Sequence, residues 1–545
     1  PKQRSRKLHG RERALHVASS PRQQSAHPML QSRLIARRLV NPRLIRRFSS
    51  APKPAIEFEE QNDEPAAAST ATANSWLHED VADFSPPTTP TTSDESFDAE
   101  AKKQDTIRGM LQLRERRSDE SGVNIPDGSF WFHVGRLSHG SREERAWLLA
   151  NQPLLDPVLA QLSTRLGELD GKELAKVARG LARSVPPPTS QTRRWSNLWR
   201  KIAELATAKH GDFSNVSLLS MLDACSSVGR IGPGVFSALA QEGASRVAAA
   251  AEQQPEAKHD DHKDADQTGS KSLASPQAVH MLLRSTSRVN FRSPPLLVAC
   301  ASALHKRVDE VPAPMLIDIC YAYATANHRP LSLFGQQGRL GPVLVEQLNA
   351  FVEAKEASEE AAAMEEDDDD DEGKPKNIQG SRLARVHQYR LWLDYERRSD
   401  EASSGLAQHP KLMEHCMNDF IDLQKRRAGR QQGHAPRDCR RALLELGYTP
   451  EERVSPFGYY HQTVINLDGM DVAVEVDLPE GLIGRSRVSS NTNPQYAGWL
   501  ALRQRQVRFL SMQKGGAAGE PRLLSVPLWD MRPPRDNTED ERAEK

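Results

Sequence analysis

Three carboxylates, Asp471, Glu475 and Asp477, fall in one short stretch near the end of the sequence, Asp471-Val-Ala-Val-Glu-Val-Asp-Leu-Pro479. Val472, Val474 and Val476 alternate with Ala473, Glu475 and Asp477, the period of a half-buried strand that sends Glu475 and Asp477 to one face. Two carboxylates that close repel each other unless a cation or an arginine neutralises them. The stretch therefore has two readings. It supplies oxygen ligands for a hard cation, or it is an acidic pair held within the fold by Arg503 or Arg505 from the segment downstream.

The elements that must position these carboxylates form a small α/β domain over 456–532, with a tail at 533–545. The order is a strand from Tyr459 to Asn466, a turn at Asp468-Gly469, the carboxylate strand from Val472 to Asp477, and a Gly- and Ser-containing loop. A helix from Tyr496 to Met512 and a strand from Leu523 to Trp529 follow. Asp-Gly between two alternating runs is a strong hairpin signal.

Upstream, the pattern is helical and repetitive. Four segments carry apolar residues at relative positions 0 and 3 and small residues at 6 and 8: Leu174, Val177, Gly180, Ala182; Leu219, Leu222, Cys225, Ser227; Val279, Leu282, Ser285, Ser287; Leu316, Ile319, Ala322, Ala324. Their starts are 45, 60 and 37 residues apart, so a 37-residue unit leaves 8 extra residues in the first gap and 23 in the second. The first surplus falls on Val185-Pro186-Pro187-Pro188-Thr189, which breaks helices, and the second on a polar insertion at 252–272. Partner helices are expected at Trp195–Ala206, Val235–Val247, Leu296–Val308 and Val343–Val352. Small residues late in a helix let the next helix approach closely, as stacked hairpins require. Residues 105–355 thus read as an α-solenoid of helical hairpin repeats. Phe130-Trp131-Phe132, after Pro126-Asp127-Gly128, reads as a core plug at its start.

An array of this kind is a binding surface rather than a catalyst. Arg179, Arg183, Arg193, Arg194, Arg200, Lys201, Arg284 and Arg288 are candidates to track phosphates along it. After a helical and basic connector begins at 381, running to 450, comes the densest internal positive run: Lys425, Arg426, Arg427, Arg430, Arg437, Arg440 and Arg441, with Asp438 the one acid among them. These residues, with Arg503, Arg505 and Arg508, are the expected RNA-binding set.

The termini and linkers carry composition rather than pattern. Residues 1–50 hold thirteen Lys or Arg against one acid, Glu12, and 29–50 hold six arginines and no acid. With Leu30, Leu34 and Leu39 near one helical face, this is the signature of a mitochondrial targeting segment more than of a plastid one, with Arg46-Arg47-Phe48-Ser49-Ser50 as the expected processing site. Met29 is the expected true start, residues 1–28 being read as an over-extended gene model. Segment 51–104 is a Pro-, Thr- and acid-rich linker that cannot bury enough surface to order itself. Segment 356–380, with Glu365-Glu-Asp-Asp-Asp-Asp-Asp-Glu372, is an acidic linker. His259 and His262, among acids in the polar insertion, lack the apolar surroundings that fix a metal geometry; no metal is expected there.

Charge balances at 73 basic against 73 acidic residues, and the mean hydropathy is −0.64, which fits a chain with long solvated segments. Cys225, Cys300, Cys320, Cys416 and Cys439 lie far apart, with no Cys-x-x-Cys, which excludes a zinc ribbon and a disulfide framework. No apolar run approaches the ~18 residues of a membrane-spanning helix, so no membrane partner is expected.

The terminal module resembles the RAP domain, an RNA-binding module. The residues that carry the resemblance are Val472-Ala-Val-Glu475-Val-Asp477, the basic helix with Arg503, Arg505 and Arg508, and the closing Leu524-Ser-Val-Pro527-Leu-Trp529. Helical repeats ahead of such a domain are similar to those of FAST-kinase-like and apicomplexan organellar proteins. Leu478-Pro479-Glu480-Gly481-Leu482 departs from the family's Gly-Pro and His-Phe continuation. The resemblance implies a restriction-endonuclease-like fold for the module and a mitochondrial-matrix protein acting on organellar mRNA or rRNA in processing, stability or translation. Its alternatives are a structural component of the mitochondrial ribosome, with mitoribosomal protein partners, and a metal-dependent endoribonuclease. Only the last needs Mg²⁺, with Asp471, Glu475 and Asp477 as its acids. There the Glu-x-Lys lysine of nuclease sites is replaced by Asp477, so a non-catalytic binder with no cofactor is the expectation.

Overall fold

In a computed structural model of the chain, described residues are 92–121, 125–184, 192–229, 231–253, 272–334, 339–350, 353, 380–396, 406–430, 434–477, 482–483, 495–512 and 520–527. The targeting segment, most of the 51–104 linker, the histidines of the polar insertion and the acidic run at 365–372 lie outside them.

The described part is mostly helical, with a small sheet near its C-terminal end. Helix α1 (Thr92–Lys102) begins inside the segment expected as a linker. Phe97 and Ala101, one turn apart, are buried against later helices and outweigh the polar composition around them. Helices α2 (Ile107–Ser121), α3 (Asp127–Gly140), α4 (Arg142–Ala150) and α5 (Asp156–Arg165) follow. Asp127 and Gly128 form the first turn of α3 rather than a turn before it, and Phe130 and Trp131 are fully buried there, as the core-plug reading requires.

The repeated pattern emerges as helices α6 (Gly171–Arg183), α8 (Asn215–Val228), α10 (Pro276–Arg288) and α12 (Ala313–Ala326). Each packs on the next, with α3 before α6 at one end. The residues at positions 0 and 3 are all buried. Local chemistry starts three of these helices: Asp170, Ser214 and Ser275 each accept a hydrogen bond from the backbone N–H three residues on. Gly229 and Asn327 take the left-handed conformation that ends α8 and α12. Between them lie α7 (Thr192–Ala208), α9 (Pro233–Gln253) and α11 (Pro294–His305), which form a second layer in which α9 packs on both α7 and α11. The last expected partner helix is present over 340–350.

Position 6 of the first repeat shows why the small residues are there. A Cβ on Gly135 of α3 would stand 2.6 Å from the Gly180 carbonyl oxygen, and one on Gly180 would run into the Trp131 carbonyl and reach 2.8 Å from the Phe132 nitrogen. The two backbones are in contact. Gly180→Ala is therefore expected to destabilise the protein by roughly 3 kcal/mol through overpacking, against the ~1 kcal/mol gain that Gly to Ala gives in an open helix. Gly429→Ala, in a helix with nothing within 4 Å, is the control. Urea unfolding of both checks this, and a Gly180→Ala midpoint at or above wild type would contradict the close approach.

The connector is not separate from the array. Helices α13 (Gly380–Leu391), extended by a π-helical turn at Trp392–Glu396, and α14 (Pro410–Arg430) place Leu383, Tyr389, Trp392, Leu412, Met413 and Cys416 in the same core as the repeats. Helix α15 (His434–Glu445) follows, and with it the basic run divides: Lys425 to Arg430 ride the end of α14, and Arg437, Arg440 and Arg441 lie on α15.

The terminal sheet has the order β1-β2-β3-β6. Strand β1 (Glu451–Val454), which the polar Glu-Glu-Arg-Val sequence conceals, pairs antiparallel with β2 (Tyr460–Leu467) across an irregularity between Glu451 and Arg453. β2 pairs antiparallel with β3 (Met470–Asp477) through a tight turn in which both Asp468 and Gly469 have positive φ, 51° and 81°; this is the primed turn that Asp-Gly favours. A two-stranded ribbon, β4 (Leu482–Ile483) with β5 (Gln495–Tyr496), precedes α16 (Gly498–Met512). The chain then returns as β6 (Arg522–Pro527), parallel to β3 with Glu475 opposite Ser525.

Candidate nucleic-acid interface

Helix α16 crosses the odd-numbered face of β3, and its Arg503 and Gln504 reach Glu475 and Asp477. Arg503 donates from Nε to Glu475 Oε2 at 3.3 Å and from a terminal nitrogen to Oε1. His461, one strand over on β2 and wholly buried, donates from Nδ1 to Glu475 Oε1 at 3.0 Å and from Nε2 to Glu520 Oε1 at 3.1 Å. Gln424 of α14 ties in from the other side. It accepts from Arg503 and donates to the Gly458 carbonyl at 2.8 Å. Burial opposes the charge on Glu475, yet Arg503 and His461 outweigh it and hold the carboxyl at about 2. Burial likewise opposes the charge on His461, and its two carboxylates overcome that and raise its pKa. The group is a buried cluster of two cations and two anions, its geometry fixed by two strands, two helices and the loop ahead of β6.

Asp477 has a different environment. It accepts from Tyr496 Oη at 2.7 Å, from Gln504 Nε2 at 3.0 Å and from the Ser525 hydroxyl. Burial, with the Glu475 charge adding to it, pushes the Asp477 pKa up despite the hydroxyl donors. Asp471 stands about 13 Å along the strand from Glu475, paired with Arg453 and accepting from Asn466. The three acids proposed as ligands thus do not converge, and no group of three or more His, Cys, Asp or Glu side chains positioned for a metal occurs among the described residues.

The residues expected to contact RNA divide as well. Arg503 belongs to the buried cluster. Arg505 donates to the Ala324 and Thr325 carbonyls and so completes the C-terminal end of α12. Arg440 donates to the Pro450 carbonyl at 3.2 Å. Lys425, Arg426, Arg437, Arg441 and Arg508 are exposed, and Arg430 is within α14. On the array, Arg200 and Lys201 lie in the second layer with α7, where Lys201 donates to the Ser163 carbonyl at 2.6 Å; Arg193 and Arg194 begin that same helix.

The remaining array candidates come together. Arg179 and Arg183 of α6, Arg284 and Arg288 of α10, and Asp223 of α8 between them share one face. Arg288 binds Asp223 at 3.2 Å, and the Ser226 and Ser227 hydroxyls at 3.1 and 2.7 Å. Burial works against the Asp223 charge, but four arginines, 288, 284, 179 and 183, together keep its pKa low. Burial and the neighbouring Arg179 charge bring Arg183 down to about 10, and burial with Arg288 lowers Arg284.

The row continues onto α12 and α13, where Asp318 accepts from His280 Nε2 at 3.1 Å and pairs with Arg385. Five arginines thus meet two aspartates along the face of successive inner helices. Half-buried rings punctuate it: Arg179 lies 5.7 Å from the centre of Phe132, Arg385 5.4 Å from Tyr321, and Arg427 5.0 Å from Trp499. Arg385 and the aromatic punctuation escape a reading by composition, because each ring and its arginine come from different helices, 47 to 72 residues apart in the chain. No protein-family model matches the sequence, and no curated protein matches it.

Proposed function

We propose that the protein binds RNA in the mitochondrial matrix and acts in the processing, stability or translation of organellar transcripts. The observation that carries the reading is the row of clustered guanidinium groups, Arg179, Arg183, Arg284, Arg288 and Arg385, set with Asp223 and Asp318 along the inner helices. Clustered guanidinium groups cost self-repulsion in the empty protein, which a phosphate chain relieves. The rings beside them offer surfaces on which bases can stack. The mitochondrial address rests on the arginine-rich, acid-free segment 29–50. The terminal module, with its β-hairpin, crossover helix and parallel return strand, fits the expectation of an RAP-like domain with a nuclease-like frame. Its carboxylates are taken up by Arg503, His461, Tyr496 and Ser525, which favours a binding module over a cleaving one.

The full chain is expected to bind single-stranded RNA with a logarithmic salt slope of about −3.5, from roughly five phosphate contacts at ~0.7 each. Filter binding from 50 to 300 mM salt measures it. Affinity independent of salt would remove the arginine row as the site.

A further inference from the structure

Where the array meets the terminal module, four side chains from four helices form a single alternating group. Tyr321 comes from α12, Arg385 from α13, Arg427 from α14 and Trp499 from α16. Arg385 lies over the Tyr321 ring and Arg427 over the Trp499 ring, at 5.4 and 5.0 Å from the ring centres. Helix α16 packs on α12, where a Cβ on Gly498 would stand 3.0 Å from Thr325 Cγ2, one turn along from Tyr321, and α13 packs on α14, so the two pairs are neighbours rather than separate contacts. Both guanidinium charges also act on the Tyr321 hydroxyl, whose pKa burial raises and they lower. All four side chains are half-buried. The two rings lie outside both buried clusters, unlike Tyr323 and Tyr459.

Two flat cations alternating with two aromatic rings suit a ligand that is itself alternately anionic and flat. A nucleotide of an unpaired strand presents both, whereas the base of a duplex is stacked on its neighbours and closed to a side chain. We infer that Tyr321, Arg385, Arg427 and Trp499 form a nucleotide site at the junction, in which Trp499 stacks an unpaired base and Arg427 holds the adjoining phosphate. This rests on the RNA-binding reading and adds to it. Arg385 belongs to both the row and the site, so a strand following the row of arginines runs directly into the terminal module.

The test compares the full chain with Trp499→Leu and Trp499→Phe on one labelled oligoribonucleotide, single-stranded and annealed to its complement. Trp499→Leu is expected to weaken single-strand binding about tenfold or more, while duplex binding and the salt slope stay as in wild type, and Trp499→Phe restores most of the loss. Arg427→Gln is expected to reduce the salt slope by ~0.7 on the single strand. Wild-type affinity in Trp499→Leu overturns the site while leaving RNA binding standing. Equal losses on single strand and duplex, or equal losses in the Leu and Phe variants, show Trp499 to be a packing residue and overturn it too. A wild-type protein that binds neither RNA defeats the parent reading instead. Melting curves for each variant separate misfolding from lost contact.

Discussion

Glu475→Ala is expected to destabilise the fold by about 4 kcal/mol, the cost of leaving buried charges without their partner. Arg503 and His461 both donate to this carboxylate, and neither can turn to solvent from its place between β2, β3 and α16. The pH profile is specific to the cluster. Glu475 has its carboxyl held at about 2 in place of 4.5, so its contribution is complete above 4.5 and fades as pH falls towards 2. His461 is raised above 6.5, so its contribution is complete below 6.5 and fades as pH climbs through the higher folded value. Stability is therefore expected to peak between about 4.5 and 6.5 and to fall on both sides. Urea unfolding from pH 3 to 9 checks this. Glu475→Gln, which keeps the shape, should lose about 3 kcal/mol of the acid-side dependence; an unchanged acid limb in that variant would show that Glu475 does not carry it.

Replacing Arg179, Arg183 and Arg284 together with Gln is the change expected to affect RNA most. Arg288 and Arg385 stay to hold Asp223 and Asp318. Three phosphate contacts at ~0.7 each take about 2 off the salt slope, and affinity at 0.1 M salt falls by about a hundredfold. Burial first, and like-charge neighbours after it, lower Arg183 and Arg284; replacing three clustered guanidinium groups removes both costs, so the melting temperature should hold or rise. Binding that weakens only in step with a falling melting temperature would place the row inside the fold's own support rather than at a ligand.

What the sequence disclosed and what it hid follow from the range of the interactions involved. The inner helices were legible because apolar spacing of three and small residues at positions 6 and 8 are properties of a single helix. The hairpin was legible because Asp468-Gly469 encodes its own turn. Arg503 or Arg505 could be named as the partner of Glu475, since a helix following a strand folds back over it, but choosing between them needs the face of α16 that meets the sheet. Arg505, two residues on and so about 200° round that helix, completes α12, a role that no count of charges discloses. His461 and Glu520 were missed because one sits in a strand whose inward face the alternation alone leaves open and the other in a loop, 59 residues apart in the chain. The start of α1 was read too late because Phe97 and Ala101 supply only two apolar contacts in a polar stretch, enough when a finished core is there to receive them.

Gly498 gives the molecule a direction of growth. A Cβ there would collide with the Ser287 carbonyl and stand 3.0 Å from Thr325 Cγ2, so the module's helix is seated on the ends of α10 and α12, and Arg505 fastens it. Those two hairpins are matched to the module as a lock is to its key, and an added or deleted repeat between them would misalign the seat. An array seated in this way changes its length by hairpins gained or lost ahead of α10 rather than between α10 and α12, so descendants of this chain would vary the array ahead of that seat while α16 stays fixed on it.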